Sequence, residues 1–175
     1  MLAPAFRVVA TIALVAMLGS IDGCLPSGET ATTEQSDTVT EGLGTGTGTV
    51  ASITDGDTLR LTVDGTELRV RLIGIDTPEV YPDAECFGAE AESALAALAP
   101  PGSTIGYAYD RDPRDQYDRE LMYLFAADGT SINLELVAQG YAVAVLFEPN
   151  DLYWNDLRAA EGAAQDAGLG LWSQC

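Results

Sequence analysis

The sequence predicts an α+β fold, mainly β: a five-stranded Greek-key barrel of the OB type with about three helices. Three observations predict it. From Thr49 to Leu72, apolar residues alternate with polar ones around two turns built on Asp-Gly, which gives three consecutive antiparallel strands. An alanine-rich helical segment, GAEAESALAALA, follows the third strand, and further strand-like runs come after it. The chain has 175 residues and 47% hydrophobic content, which suffices for one ordinary domain with its own core and would be cramped for two.

Residues 1–23 read as an export signal, with Arg7 as the charged start and Val8 to Leu18 as an apolar run too short to favour a spanning helix. Gly23 before Cys24 resembles a lipoprotein processing site, so Cys24 is expected to carry a lipid. Residues 24–48 are Thr, Gly, Ser and acids with almost nothing to bury; they read as a disordered tether whose Gly-Thr repeats are compositional. The ordered domain is expected over 49–175. Val50 to Ile53 and Leu59 to Val63 are strands joined by the tight turn Thr54-Asp55-Gly56-Asp57-Thr58, and Asp64-Gly65 turns the chain into the third strand, within LRVRLIGIDTPE (Leu68 to Glu79). A helix between Phe87 and Ala99 is ended by Pro100-Pro101-Gly102. Thr104 to Tyr109 and Glu120 to Ala126 are strands, joined by a loop of arginines and aspartates from Asp110 to Arg119. Ser131 caps a helix from Ile132 to Gln139 that Gly140 closes, and a last helix covers Leu152 to Ala167. Between them lies an apolar segment, Tyr141 to Phe147, and Leu169 to Trp172 packs the end back.

Charge narrows the chemistry. There are 27 acids against 8 basic residues, all of them arginine, and no histidine, for a net charge of −19. A Ser/His/Asp triad, a Cys/His pair and histidine metal ligands are thereby excluded. Any metal must be held by oxygen or by the few thiols. Such a surface repels polyanions and anionic membranes at low ionic strength, and the expected source is a salt-loving organism.

Four features combine: Asp57 in the first turn, Arg71 within the third strand, Asp76 and Glu79 at its end, and Arg119 before the fifth strand. Two arginines clamp a phosphate through bidentate hydrogen bonds. Asp57 and Asp76, with a backbone carbonyl and waters, suit calcium, and Glu79 stays free to orient or deprotonate a water. Together they make a metal-assisted phosphodiester hydrolase. The same residues also suit plain structural work: Asp55 and Asp57 as turn caps, Arg71 as a partner of Glu79, Arg119 as a loop arginine. A barrel of this kind also serves as a noncatalytic module that binds protein or glycan at a cell surface.

The series Ile53-Thr54-Asp55-Gly56-Asp57-Thr58, Arg71 through Glu79 (RLIGIDTPE), Phe87-Gly88-Ala89-Glu90-Ala91, Tyr117-Asp118-Arg119, Asn133 to Gly140 (NLELVAQG) and Leu171-Trp172-Ser173 resembles the staphylococcal nuclease (thermonuclease) family, from about Thr49 to Trp172. The resemblance implies calcium-dependent cleavage of DNA and RNA to products ending in a 3'-phosphate. It matches Asp57, Asp76 and the Thr77 carbonyl to the calcium ligands, Arg71 and Arg119 to the phosphate-binding arginines, and Glu79 to the residue acting on water. Tyr117 matches a position near the nucleotide phosphate. Gln116 stands where a lysine is usual, Val145 where a tyrosine lies against the base, and Asp118 and Glu120 where glycines are common. If Cys24 is acylated, Cys86 and Cys175 remain as a pair, expected to form a disulfide outside the cytoplasm. The expected protein is a monomer, secreted or lipid-anchored at the cell surface, touching membrane only through Cys24. Cleavage measured across a salt series at fixed calcium is expected to be weak at the lowest salt; activity that falls steadily from the lowest salt upward would contradict this reading of the charge.

Overall fold

Period-two alternation closes the sheet into a barrel in the computed structural model, which describes residues 44–175. The strands are β1 (Thr45–Ile53), β2 (Thr58–Val63), β3 (Thr66–Leu72), β4 (Ile75–Asp76), β5 (Thr104–Arg114), β6 (Glu120–Phe125) and β7 (Val143–Ala144). The helices are α1 (Gly88–Leu98), α2 (Ile132–Ala138), α3 (Trp154–Ala167) and the single turn α4 (Leu171–Gln174). Five strands close the barrel in the order β1-β2-β3-β6-β5, while β4 and β7 pair separately. Neighbours are antiparallel except β3 and β6, which run parallel.

Register decides which side chains face inward. Leu59 stands opposite Val70, Leu61 opposite Leu68 and Leu72 opposite Met122. Leu59, Leu61, Val70, Leu72, Met122 and Leu124 are all 0% exposed, and each such side chain contributes about 1.5–3 kcal/mol of burial. Ile73, Ile75, Tyr123, Leu136, Val137 and Leu157 extend the same cluster outward to the helices. Tyr107 and Tyr109 pack edge to face on the barrel wall, ring centroids 5.7 Å apart.

Asn133 fastens this outer layer. Fully buried in α2, it accepts from the Leu124 amide at 2.9 Å and donates to the Ile73 carbonyl at 2.9 Å. A helix, a barrel strand and the turn leading into β4 are thereby tied through one side chain. The Ser131 hydroxyl caps α2 by accepting from the Leu134 amide.

Three boundaries differ from the sequence reading. β1 begins at Thr45, ahead of Thr49: the Gly-Thr repeat enters the barrel and pairs with β5 from Thr45 to Thr49. Its glycines are a packing requirement, since a Cβ on Gly48 would lie 2.7 Å from Leu61 Cγ and 3.0 Å from the Thr62 carbonyl. β5 runs on to Arg114, shortening the loop read from Asp110 to Arg119. Buried Asp110 makes this possible by accepting from the Arg111 and Leu152 amides at 2.8 and 2.9 Å. Within the apolar run after α2, Val143 and Ala144 form the strand that pairs with β4. The export signal, Cys24 and residues 24–43 of the tether lie outside the described residues.

A disulfide joins Cys86, just before α1, to Cys175, 89 residues on. Closing so long a loop restricts the unfolded chain, so replacing both cysteines with serine is expected to cost about 2–4 kcal/mol in urea unfolding. A loss below about 0.5 kcal/mol would show that the crosslink constrains little in the unfolded ensemble.

Candidate active site

Arg71 puts a guanidinium on the outer face of β3, and it is only 6% exposed. A buried cation needs partners, and it has two. Its Nη1 forms an ion pair with Asp57 Oδ2, and its Nη2 bonds Asp76 Oδ1 at 2.5 Å. Nη1 is itself buried against Asp57. The Phe147 ring lies 5.8 Å from the guanidinium carbon and closes the site's apolar side. The pairing with Glu79 weighed from the sequence is replaced by this fork between two aspartates.

Asp57 is the deepest carboxylate, at 5% exposure. Its backbone carbonyl accepts from the Leu72 amide at 2.8 Å, which ties the turn to the end of β3. Its Oδ2 accepts from the Thr77 amide at 3.0 Å, and its Oδ1 accepts from the Thr58 hydroxyl at 3.1 Å. The turn sits this close because position 56 is glycine: a Cβ there would meet Thr77 Oγ1 at 2.7 Å and Ala91 Cβ at 2.8 Å. Burial pushes the Asp57 carboxyl up to about 6, against the opposing pull of Arg71 and with further upward push from Asp55.

Asp76 and Glu79 face solvent where the chain leaves β4. Pro78 follows Thr77 and turns the chain away from the sheet. Glu79 is raised above the usual carboxylate range by partial burial, then by the charges of Asp55 and Asp76. Its loop is closed by the Glu85 amide donating to the Glu79 carbonyl at 2.8 Å, and by the Glu79 amide donating to Glu85 Oε2 at 3.0 Å.

Arg119 and Tyr117 occupy a different loop. Asp115 organises it: Oδ1 accepts from the Tyr117 and Arg119 amides, both at 2.9 Å, and Oδ2 accepts from Arg119 Nε at 2.7 Å. The Arg119 guanidinium lies over the Tyr117 ring at 5.7 Å. Its terminal nitrogens donate no hydrogen bond among the described residues. Arg71 is opposite Leu121 in the β3–β6 register, and Arg119 lies two residues earlier, in the loop that leads into β6. The structure thus brings Asp57, Arg71, Asp76 and Thr77 into direct contact and sets Glu79 in their field. Arg119 and Tyr117 lie in the loop before β6 and form no hydrogen bond or ion pair with them.

The acids beside Arg119 are not left bare. Arg114 binds Glu120 through Nε at 2.7 Å and Nη2 at 2.5 Å, and Asp118 through Nη1 at 3.2 Å. Asp118 adopts φ 60°, the left-handed backbone that a glycine would otherwise supply. Sequence reasoning missed Arg114, Asp115, Glu85 and Phe147 as parts of the site. Only Asp115 carried a signal: its four-residue spacing to Arg119.

The staphylococcal nuclease homologue family matches residues 69–174. The Thermonuclease of Staphylococcus intermedius is 36% identical over 128 residues, covering 71% of this chain and 75% of that protein. From Bacillus subtilis, the SPbeta prophage-derived endonuclease YokF is 34% identical over 125 residues, covering 69% of this chain and 42% of that protein. Endonuclease YncB of the same species is also 34% identical over 125 residues, covering 69% and 58%. The chain therefore spans less than two thirds of both Bacillus proteins.

The raised Asp57 carboxyl fixes a sign. Its folded value is about 6 against an ordinary 3.8, so its contribution to stability is full below 3.8 and is lost as pH rises through 6. In chelator, the parent is expected to lose stability over that window. Asp57→Asn should remove most of that fall in urea unfolding at several pH values; parallel pH profiles for the two proteins would assign the titration elsewhere.

Proposed function

The chain belongs to the staphylococcal nuclease family, and on that premise we propose that it is a calcium-dependent nuclease that hydrolyses the phosphodiester bonds of DNA and RNA and leaves a 3'-phosphate. One observation carries the reading: a buried guanidinium is forked between two carboxylates, one of them at the surface, with Glu79 exposed beside them. A structural ion pair gains little from being half open to solvent. A phosphate site requires that opening.

The donor set fits calcium. Asp55, Asp57, Asp76, Glu79 and Glu85 act on this neighbourhood against Arg71 alone, so negative charge is in excess. Among the described residues no three carboxylates converge at ligand distance. The protein's share would be Asp57, Asp76 and the Thr77 carbonyl, with water completing the shell. Calcium, when bound, supplies positive charge beside the phosphate oxygens.

The remaining steps belong to this chain. The guanidiniums of Arg71 and Arg119 bind non-bridging phosphate oxygens. Tyr117 holds the Arg119 guanidinium flat and lines the approach to the phosphate. Glu79 orients a water against phosphorus and takes its proton; the raised carboxyl makes it a better base than an ordinary glutamate. The 5' oxygen leaves and the phosphate stays on the 3' side.

The Cys86–Cys175 disulfide supports placement outside the cytoplasm, in keeping with residues 1–23 as an export signal and a lipid on Cys24. The nuclease would act there as a monomer, secreted or tethered.

Incubation of the protein with single-stranded DNA tests the reading. Cleavage is expected with calcium and not with chelator, and Glu79→Gln and Arg71→Ala should each lose about 10²–10⁴-fold in rate. Undiminished cleavage by both variants would refute the mechanism, and no cleavage by the parent at any salt would favour a noncatalytic binding barrel.

A further inference from the structure

β2 and β3 place two like charges side by side. Arg60 stands directly opposite Arg69 in the register, an arrangement that is unfavourable in the absence of counter-charge. Arg60 has Glu67 at 2.8 Å, a pair whose side chains are 45% and 50% exposed and readily exchanged. Arg69 has no carboxylate within ion-pair reach, alone among the arginines of the described residues. Both line a pocket of about 260 Å³, with Arg114 and the carboxylates of Glu67, Asp118 and Glu120. Three guanidiniums balance three carboxylates there, in a chain of net charge −19. An incoming polyanion meets less repulsion over this neutral patch than elsewhere on an acidic surface.

The patch is continuous with the candidate active site. Arg69 and Arg71 are two residues apart on β3 and so share its outer face, about 6.6 Å apart along the strand. Val70 is opposite Glu120, the first residue of β6, so Arg69 lies near the end of the loop that carries Arg119. That spacing is about the reach of one extended nucleotide.

We propose that Arg69, with Arg60 beside it, is a second phosphate subsite that binds a neighbouring phosphodiester of the same nucleic-acid strand whose scissile phosphate sits at Arg71. The phosphate displaces Glu67 from Arg60 and gives Arg69 the anion it lacks, and it supplies affinity from a place distinct from Arg119 and Tyr117. This rests on the nuclease reading.

Fluorescence anisotropy tests it, using full-length protein carrying Glu79→Gln, calcium and a labelled deoxythymidine dodecamer over a salt series. Adding Arg69→Ala should weaken binding about fivefold at a given low salt, and shift the slope of log affinity against log salt by about one. Arg111→Ala removes an equal charge from an arginine paired with Asp151 away from the pocket, and should leave the slope unchanged. An unchanged slope with Arg69→Ala, or an equal shift with Arg111→Ala, overturns the subsite. If the protein with Glu79 intact still cuts the dodecamer, the nuclease reading survives that result. If it neither cuts nor binds, the nuclease reading fails and the subsite falls with it.

Discussion

The site depends on the placement of one guanidinium. Arg71 lies in a strand whose neighbours Val70 and Leu72 are wholly buried, so the positive charge is fixed by the same packing that builds the core. Nothing else in the apolar surroundings can solvate it, and the polypeptide must bring Asp57 in from the preceding turn and Asp76 from the following one. Three segments distant by up to twenty residues become one electrostatic unit. Gly56, Thr77 and Asn133 are best understood as residues that let these segments approach: Gly56 by omitting a side chain, Thr77 through its amide, Asn133 by tying the Ile73 carbonyl to α2 and β6. The negative field that remains around Glu79 follows from the same arrangement, because one arginine cannot neutralise the carboxylates that converge on it.

Much of this was legible in the sequence, and the reason is periodicity. Alternation from Val50 to Leu72, the alanine-rich helix after Phe87 and the Ser131 cap each report a local preference that the tertiary structure keeps. What stayed hidden depended on long-range contacts. The Gly-Thr repeat looks like solvent-exposed linker because its strand buries little of its own; the burial is supplied by Leu61 and Tyr107 reaching over the glycines. The extension of β5 depends on Asp110 meeting the Leu152 amide, 42 residues away. Arg71 was recognisable as a charge needing a partner, yet its choice of Asp57 and Asp76 over Glu79 is a matter of angles that no spacing rule contains.

An acidic protein that must bind an anion has a problem of placement more than of number. Arg114 addresses it by pairing with Glu120 and Asp118, so the two acids beside Arg119 are partly neutralised. Asp115 is likewise paired, accepting from the Arg119 amide and Nε. Acidity is thus paired around Arg114 and Arg119 and left in excess around Glu79.

The bond between Cys86 and Cys175 brackets β5, β6, α2 and α3 within a single covalent loop. A peptidase that cuts any exposed connection inside that loop opens the backbone without releasing a fragment while the disulfide is intact. The nicked halves stay at high effective concentration, and Asn133 and the barrel register still favour their docking. Damage to the chain inside that loop need not mean loss of the fold.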